Sequence, residues 1–255
     1  MRELIYSQIL QKRNKKQKSF AVLIDPDYLK LTNLEATINI ALKHNVDYFF
    51  IGGSLIIQDR LEECLKIIRE RCNIPTILFP GNGFQLSHHA DALMFLSLIS
   101  GRNPEYLIGK HVEVAPKLQL SSLEIIPTGY MLIDGYSSNT ASYISQTFPI
   151  PSDKPEIAVA TALAGQFLGF KLIFMDAGSG AKVSVSNEMV SRVSQMIQVP
   201  LIIGGGIKSG EKARELFTAG ADIIVVGNAI EKDPSLIAEI SNITRQNFFA
   251  ESNQV

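Results

Sequence analysis

Two cysteines in 255 residues are too few for a disulfide scaffold. Cys64 and Cys72 stand eight apart on one expected helix, about 12 Å from each other and too far to bridge. Both read as buried thiols of a reducing compartment, so the expected location is cytoplasmic. Charge of one sign is also not in excess. Lys+Arg 24 against Asp+Glu 25 leaves a net charge of −1, which gives nucleic acid no electrostatic footprint. No uncharged apolar run reaches the 18 or so residues of a spanning helix. The basic run from Lys12 to Lys18 is followed by Asp25 and Asp27 rather than by a signal-peptide core. The longest apolar stretch, Ile157 to Leu168, reads as a buried helix. His44, His88, His89 and His111 have no metal-ligand spacing with either cysteine, which argues against zinc. No G-x-S-x-G elbow, Walker A lysine or dinucleotide fingerprint occurs.

What is present is core. Hydrophobic residues make up 46% and charged ones 19%, which excludes global disorder. At about 150 residues per domain the length gives roughly 1.7 domains, or a single α/β barrel. No composition shift marks a boundary. The expectation is one domain over 1–255, with a short N-terminal helix at about 1–15 and a loosely ordered tail at about 246–255.

Eight short β-rich runs recur: Phe20–Ile24, Asp47–Ile51, Thr76–Phe79, Ala92–Phe95, Glu124–Ile126, Leu172–Met175, Leu201–Ile203 and Asp222–Val226. Most are apolar without alternation, as parallel strands buried on both faces are. Helical patterns lie between them. Thr32 and Glu35 make a capping box ahead of Leu34, Ile38, Ala41 and Leu42. Leu61, Cys64, Leu65 and Ile68 share one face, and Ser186 precedes Met189, Val190, Val193 and Met196 as inward positions. Ser209 caps a helix that ends at Gly220, and Asp233-Pro234 opens the last one. Pro80 to Asp91 is too short and polar for a crossover helix, and Asp134 to Pro155 reads as an active-site loop. The pattern predicts an α/β fold, a single modified (β/α)8 TIM barrel whose third helix is replaced by a loop or extended segment. A doubly wound open sheet is the competitor.

In such barrels reactive residues follow the strands. The sixth run leads into Asp176-Ala177-Gly178-Ser179-Gly180-Ala181, the seventh into Gly204-Gly205-Gly206 and the eighth into Gly227-Asn228. One glycine loop reads equally as a tight turn. Three at adjacent strand ends point to a phosphate held by backbone N–H groups. After the first run comes Asp25, and after the second Gly52-Gly53-Ser54. A carboxylate and a hydroxyl there suit Mg²⁺, which keeps waters and substrate phosphates. Asp25 reads equally as a turn aspartate before proline, and Ser54 as a plain loop hydroxyl. Asp176 is either a proton acceptor for a substrate hydroxyl or a loop aspartate with a backbone partner. Phe84, Met94, Phe95, Leu96, Leu98 and Ile99, with Ile125, Ile126, Tyr130, Met131 and Ile133 placed after the fifth run, are mostly core. With no helix over the third strand, some of them would line a greasy groove.

These segments form an ordered set: Leu-Ile-Asp-Pro-Asp (23–27), Ile-Gly-Gly-Ser (51–54), Phe-Pro-Gly (79–81), Gly-Arg-Asn-Pro-Glu-Tyr-Leu-Ile-Gly (101–109), Pro-Thr-Gly-Tyr (127–130), Asp-Ala-Gly-Ser-Gly-Ala (176–181), Gly-Gly-Gly-Ile (204–207) and Val-Gly-Asn (226–228). Over about residues 15–240 the chain resembles the geranylgeranylglyceryl phosphate synthase family, the PcrB-like prenyltransferases, and within it the larger group with bacterial members. The resemblance implies Mg²⁺-dependent transfer of a geranylgeranyl chain from its diphosphate to the C3 hydroxyl of sn-glycerol 1-phosphate. It implies Asp25 and Ser54 as metal and diphosphate ligands. It implies Phe174, Met175, Asp176, Ala177, Gly178, Ser179, Gly180, Gly205, Gly206, Gly227 and Asn228 as the glycerol phosphate site, with Asp176 catalytic. It also implies a homo-oligomer, dimer or hexamer, and transient membrane contact for the lipid product without a transmembrane segment. One departure stands out. The family shows Tyr-x-Glu where this chain has Phe174-Met175-Asp176, so a phenol is missing at 174 and the carboxylate is one methylene shorter.

Other readings stay open. A longer donor such as a heptaprenyl diphosphate keeps the same chemistry. A phosphate-binding barrel isomerase or synthase would need a catalytic lysine or an acid pair, and only Lys208 lies close behind a strand end. A non-catalytic phosphometabolite binder is the third.

Overall fold

The computed structural model describes residues 4–27, 33–137 and 139–246. Eight strands form it: β1 (Ser19–Ile24), β2 (Tyr48–Ile51), β3 (Thr76–Leu78), β4 (Ala92–Leu98), β5 (Glu124–Leu132), β6 (Leu172–Asp176), β7 (Leu201–Gly204) and β8 (Ile223–Val226). They pair in parallel in sequence order, and β8 closes on β1. The helices are α1 (Ile5–Asn14), α2 (Leu34–Lys43), α3 (Leu61–Arg71), α4 (Lys110–Gln119), α5 (Thr140–Ser145), α6 (Pro155–Phe167), α7 (Asn187–Met196), α8 (Gly210–Ala219), α9 (Asn228–Lys232) and α10 (Leu236–Thr244). A π-helical turn, Glu105–Gly109, leads into α4. Between β3 and β4 there is no helix, as the sequence predicts.

Strand alternation builds two apolar layers. Inside the barrel lie Ala21, Tyr48, Phe50, Ile77, Met94, Ile126, Leu172, Phe174, Ile202 and Val225. Outside, under the helices, lie Phe20, Val22, Phe49, Ile51, Leu78, Ile173, Met175, Ile203 and Ile224. Both faces are therefore apolar, which is why the runs do not alternate. Ser186 and Ser209 cap α7 and α8 by accepting from the N–H groups of Met189 and Lys212, and Gly220 ends α8 at φ +117°.

The fifth strand is longer than the sequence predicts. The expected run stops at Ile126, yet β5 continues through Pro127 and Gly129 to Leu132 and pairs with β4 over seven positions, Ala92↔Glu124 to Leu98↔Tyr130. The Pro127 carbonyl still accepts from Lys171 N–H at 2.8 Å. At Gly129 and at Gly165 of α6 a Cβ would meet the same atom, Ile99 Cδ1, at 2.8 Å, so the paired glycines let α6 lie close on β5. Other boundaries also move. The last helix begins at Leu236, because Asp233 Oδ1 accepts from Ser235 N–H and Oγ–H rather than capping at Pro234. The Asp134–Pro155 segment contains α5, capped by Asn139. Stretch Ile157–Leu168 is not fully buried. Ile157, Ala160, Ala164, Phe167 and Leu168 face outward, while Ala158, Ala162 and Gly165 pack inward. Leu42 and Met196 are exposed, each at the C-terminal end of its helix. Cys64 is buried and Cys72 half-buried. Thr32, and the expected tail apart from Gln246, lie outside the described residues.

Helix α1 closes the N-terminal end of the barrel. Ile5 and Ile9 join the interior layer. The Glu124 carboxylate accepts from the N–H groups of Ile5 (2.5 Å) and Tyr6 (3.1 Å) at the start of α1. Lys12 pairs with Asp47 and Arg13 with Asp222. Among the described residues the strands' C-terminal ends stay open, and there the site lies.

Candidate active site

Two cavities share the open end. The larger, about 520 Å³, is a cup formed by the ends of β1, β2 and β6 to β8. Asp25, Ser54, Phe174, Asp176, Gly178, Ser179, Gly180, Gly205, Gly206, Gly227 and Asn228 all line it. The narrower cavity, about 150 Å³, is a groove between β4 and α4, open where the third helix is missing. Its walls include Leu86, Leu93, Phe95, Leu98, Val114 and Ile144, with Asn82, Lys110 and His111 beside them, so it is mostly apolar. The lining of both includes Gly53, Ser54, Phe79, Tyr130 and Ala141, which makes these residues a common wall.

The glycines of the cup are required by contact. Gly205 has φ +78°, and a Cβ there would stand 2.6 Å from Asp176 Oδ1 and 2.7 Å from the Gly178 nitrogen. Gly206 has φ +68°, and its Cβ would meet the Val183 backbone at 2.5 Å. Only glycine fits either place. The loops after β6 and β8 are tied by Ser179 Oγ–H donating to Asn228 Oδ1 at 3.1 Å. Lys208 and Lys232 also line the cup and add positive charge. Such a concave, glycine-lined surface with cationic edges suits a small anion. Lys208 donates to the Lys182 carbonyl, which is a loop-bracing bond. Met175 and Ala177 are different. Both are fully buried with side chains in the outer apolar layer, so only their backbone can serve a ligand.

Asp176 ends β6 with both oxygens engaged. Oδ1 accepts from Gly178 N–H at 2.7 Å, and Oδ2 accepts from the Tyr130 hydroxyl at 2.7 Å. Burial raises its pKa above the usual 3.8, against the lowering effect of those two bonds. The Tyr130 hydroxyl is pushed well above its ordinary value, by burial first and then by the Asp176 charge. Around this pair stands a ring cluster. Phe79 stacks on Phe174 with centroids 5.2 Å apart, and Tyr130 meets Phe174 edge-on at 5.5 Å and Phe79 at 5.8 Å.

Tyr130 is the residue that the sequence reading leaves among the core positions. Its phenol occupies the neighbourhood in which Phe174 lacks one. The usable signal was the period of two, which carries Ile126, Thr128 and Tyr130 along one face once β5 runs through the proline.

Asp25 and Ser54 sit at adjoining strand ends, following the β1–β2 pair Ile24↔Ile51. The Asp25 carboxylate rests on the backbone of Gly53, where a Cβ would come 2.9 Å from Oδ2. Among the described residues no group of three or more His, Cys, Asp or Glu could hold a metal ion. One carboxylate and one hydroxyl facing an anion cup do fit Mg²⁺, which takes one or two protein oxygens and completes its shell with waters and phosphates. Among the described residues no helix is long and apolar enough to cross a membrane.

Comparison with known proteins bears on all of this. A sequence model of the PcrB family matches residues 10–244. The geranylgeranylglyceryl phosphate synthase of Chitinophaga pinensis is 52% identical over 242 residues, covering 95% of this chain and 96% of that protein. The enzyme of the same name from Pyrococcus furiosus is 42% identical over 229 residues, covering 89% and 90%. The crystal structure of (S)-3-O-geranylgeranylglyceryl phosphate synthase from Thermoplasma acidophilum, in complex with its substrate sn-glycerol-1-phosphate, superposes with a TM-score of 0.88 at 31% identity, covering 95% of this chain and 99% of that one.

Proposed function

The chain belongs to the PcrB family, and on that premise we propose that it transfers a geranylgeranyl group from its diphosphate to the C3 hydroxyl of sn-glycerol 1-phosphate, releasing diphosphate. One observation carries the reading. A glycine-lined cup and an apolar groove meet at a common wall, and a half-buried carboxylate bonded to Tyr130 of that wall stands in the cup beside it. No single-substrate isomerase needs that pairing. It is what a reaction between a small anion and a lipid needs.

The roles follow from position. The loops Gly178–Gly180, Gly205–Gly206 and Gly227–Asn228 hold the phosphate of the acceptor and fix its free hydroxyl. The groove takes the prenyl chain, each buried methylene contributing about 0.8 kcal/mol, and keeps out competing water. The bond from prenyl C1 to the diphosphate oxygen breaks, and its electron pair leaves with diphosphate. The acceptor oxygen bonds to C1, and its proton passes to the Asp176 carboxylate. Asp176 reaches the acceptor while Tyr130 and Gly178 hold its orientation. Asp25 and Ser54 would hold Mg²⁺, which when bound offsets the charge gathering on the leaving diphosphate.

The exposed apolar face of α6, with Phe167 79% and Leu168 77% accessible, supports a homo-oligomer in which this face is covered by a second copy. The test of function is direct. Purified protein is incubated with labelled glycerol 1-phosphate, Mg²⁺ and prenyl diphosphates from C10 to C35. The C20 donor is expected to give an ether lipid that partitions into organic solvent, and excess chelator is expected to stop it. No lipid from any donor overturns the proposal.

A further inference from the structure

The prenyl transfer proposed above leaves one charge without a partner. When the allylic C–O bond breaks, positive charge spreads over C1 and C3 of the prenyl head. The oxygens of Asp25 and Ser54 serve the diphosphate, and those of Asp176 the acceptor hydroxyl. The head itself meets something else. A donor with its diphosphate in the cup and its tail in the groove must cross the common wall, where Phe79 and Tyr130 line both cavities and Phe174 lines the cup beside them. The reacting carbon must also come within about 3–3.5 Å of an acceptor oxygen next to Asp176, and the Tyr130 hydroxyl is bonded to that carboxylate at 2.7 Å. The ring cluster is therefore where the cation forms.

Three rings in mutual contact stand where the cup meets the groove. Each carries a negative π face, which attracts a desolvated cation. The hydrogen bond to Asp176 enriches the Tyr130 ring in electrons and fixes its plane. Stacking on Phe174 fixes Phe79. The ring at position 174 lacks a hydroxyl but keeps its contacts with Phe79 and Tyr130, so the change leaves that support in place. We propose that Phe79 and Tyr130 are catalytic residues that stabilise the allylic carbocation through their ring faces, and that the buried Phe174 ring is a positioning residue behind them. This inference rests on the proposed prenyl transfer and adds to it a set of groups that act only as charge develops.

The experiment varies ring charge at nearly constant shape. Phe79 is replaced in the full chain by mono-, di- and trifluorinated phenylalanine, and single-turnover ether formation is measured with the C20 donor and Mg²⁺. The rate is expected to fall stepwise with each fluorine, by about tenfold over the series, while donor KM stays nearly constant. Tyr130→Phe is expected to retain more of the rate than Tyr130→Leu. A flat fluorine series in a protein that still forms the ether overturns the inference and leaves the transfer standing. If the unmodified protein forms no ether with any donor, the transfer falls, and the inference with it.

Discussion

At the scale of single residues, Asp176 carries a cost that its chemistry explains. Burial holds its pKa above that of a free aspartate, so the folded chain binds this proton more tightly than the unfolded chain does. Below the ordinary value of 3.8 both states are protonated and the group is neutral in its effect on stability. As pH rises from there through the raised folded value, stability is lost, and above it the whole penalty persists. Thermal melts of Asp176→Asn and the parent should therefore diverge in favour of the variant as pH rises, then run parallel. The same variant should lose about a hundredfold or more in ether formation, since the proton acceptor is gone. The acid limb of the parent's rate profile should sit above the pH expected for a free aspartate. Gly205→Ala puts a methyl group on Asp176 Oδ1 and the Gly178 nitrogen at a φ of +78°. It should cost about 1–3 kcal/mol of stability and weaken glycerol phosphate binding about tenfold or more, read by melts and by titration calorimetry. The glycines were legible from sequence because their type alone announces a special backbone. Tyr130 was not, because its role depends on which strand face it occupies, and that depends on where β5 ends.

At the scale of elements, the sequence spoke most clearly where period and capping agreed. The glycine after α8 and the serines before α7 and α8 needed only local chemistry, and local chemistry is what a sequence displays. Strand β5 shows the opposite. Pro127 and Gly129 discourage a strand locally, yet seven paired positions with β4 and the close seat of α6 outweigh them. The outward face of α6 was likewise hidden, because an apolar run does not say which of its sides meets the barrel. Helix α1 gives an element-level prediction. Its first N–H groups are satisfied by the Glu124 carboxylate, which also meets the positive end of the helix. Glu124→Ala should cost about 1–2 kcal/mol in urea unfolding and leave the kinetics of ether formation unchanged.

At the scale of the whole molecule, the closed eight-stranded barrel was readable as eight apolar runs, because burial on both strand faces removes the alternation that would mark an exposed sheet. The proposed assembly was not, since a run of apolar residues does not say whether its outward face meets a second copy. Phe167→Glu places a charge on the exposed α6 face and should reduce the mass measured by light scattering while the barrel's circular dichroism is retained. The stopper at the barrel's base has a wider consequence. The stopper and the reactive rim stand at opposite poles, with the packed interior between them. Changes at the two poles should then be nearly independent, and a protein carrying both Glu124→Ala and Gly205→Ala should show the sum of the two separate losses. Stability lost to a change at the rim could then be regained at the base without touching the reaction.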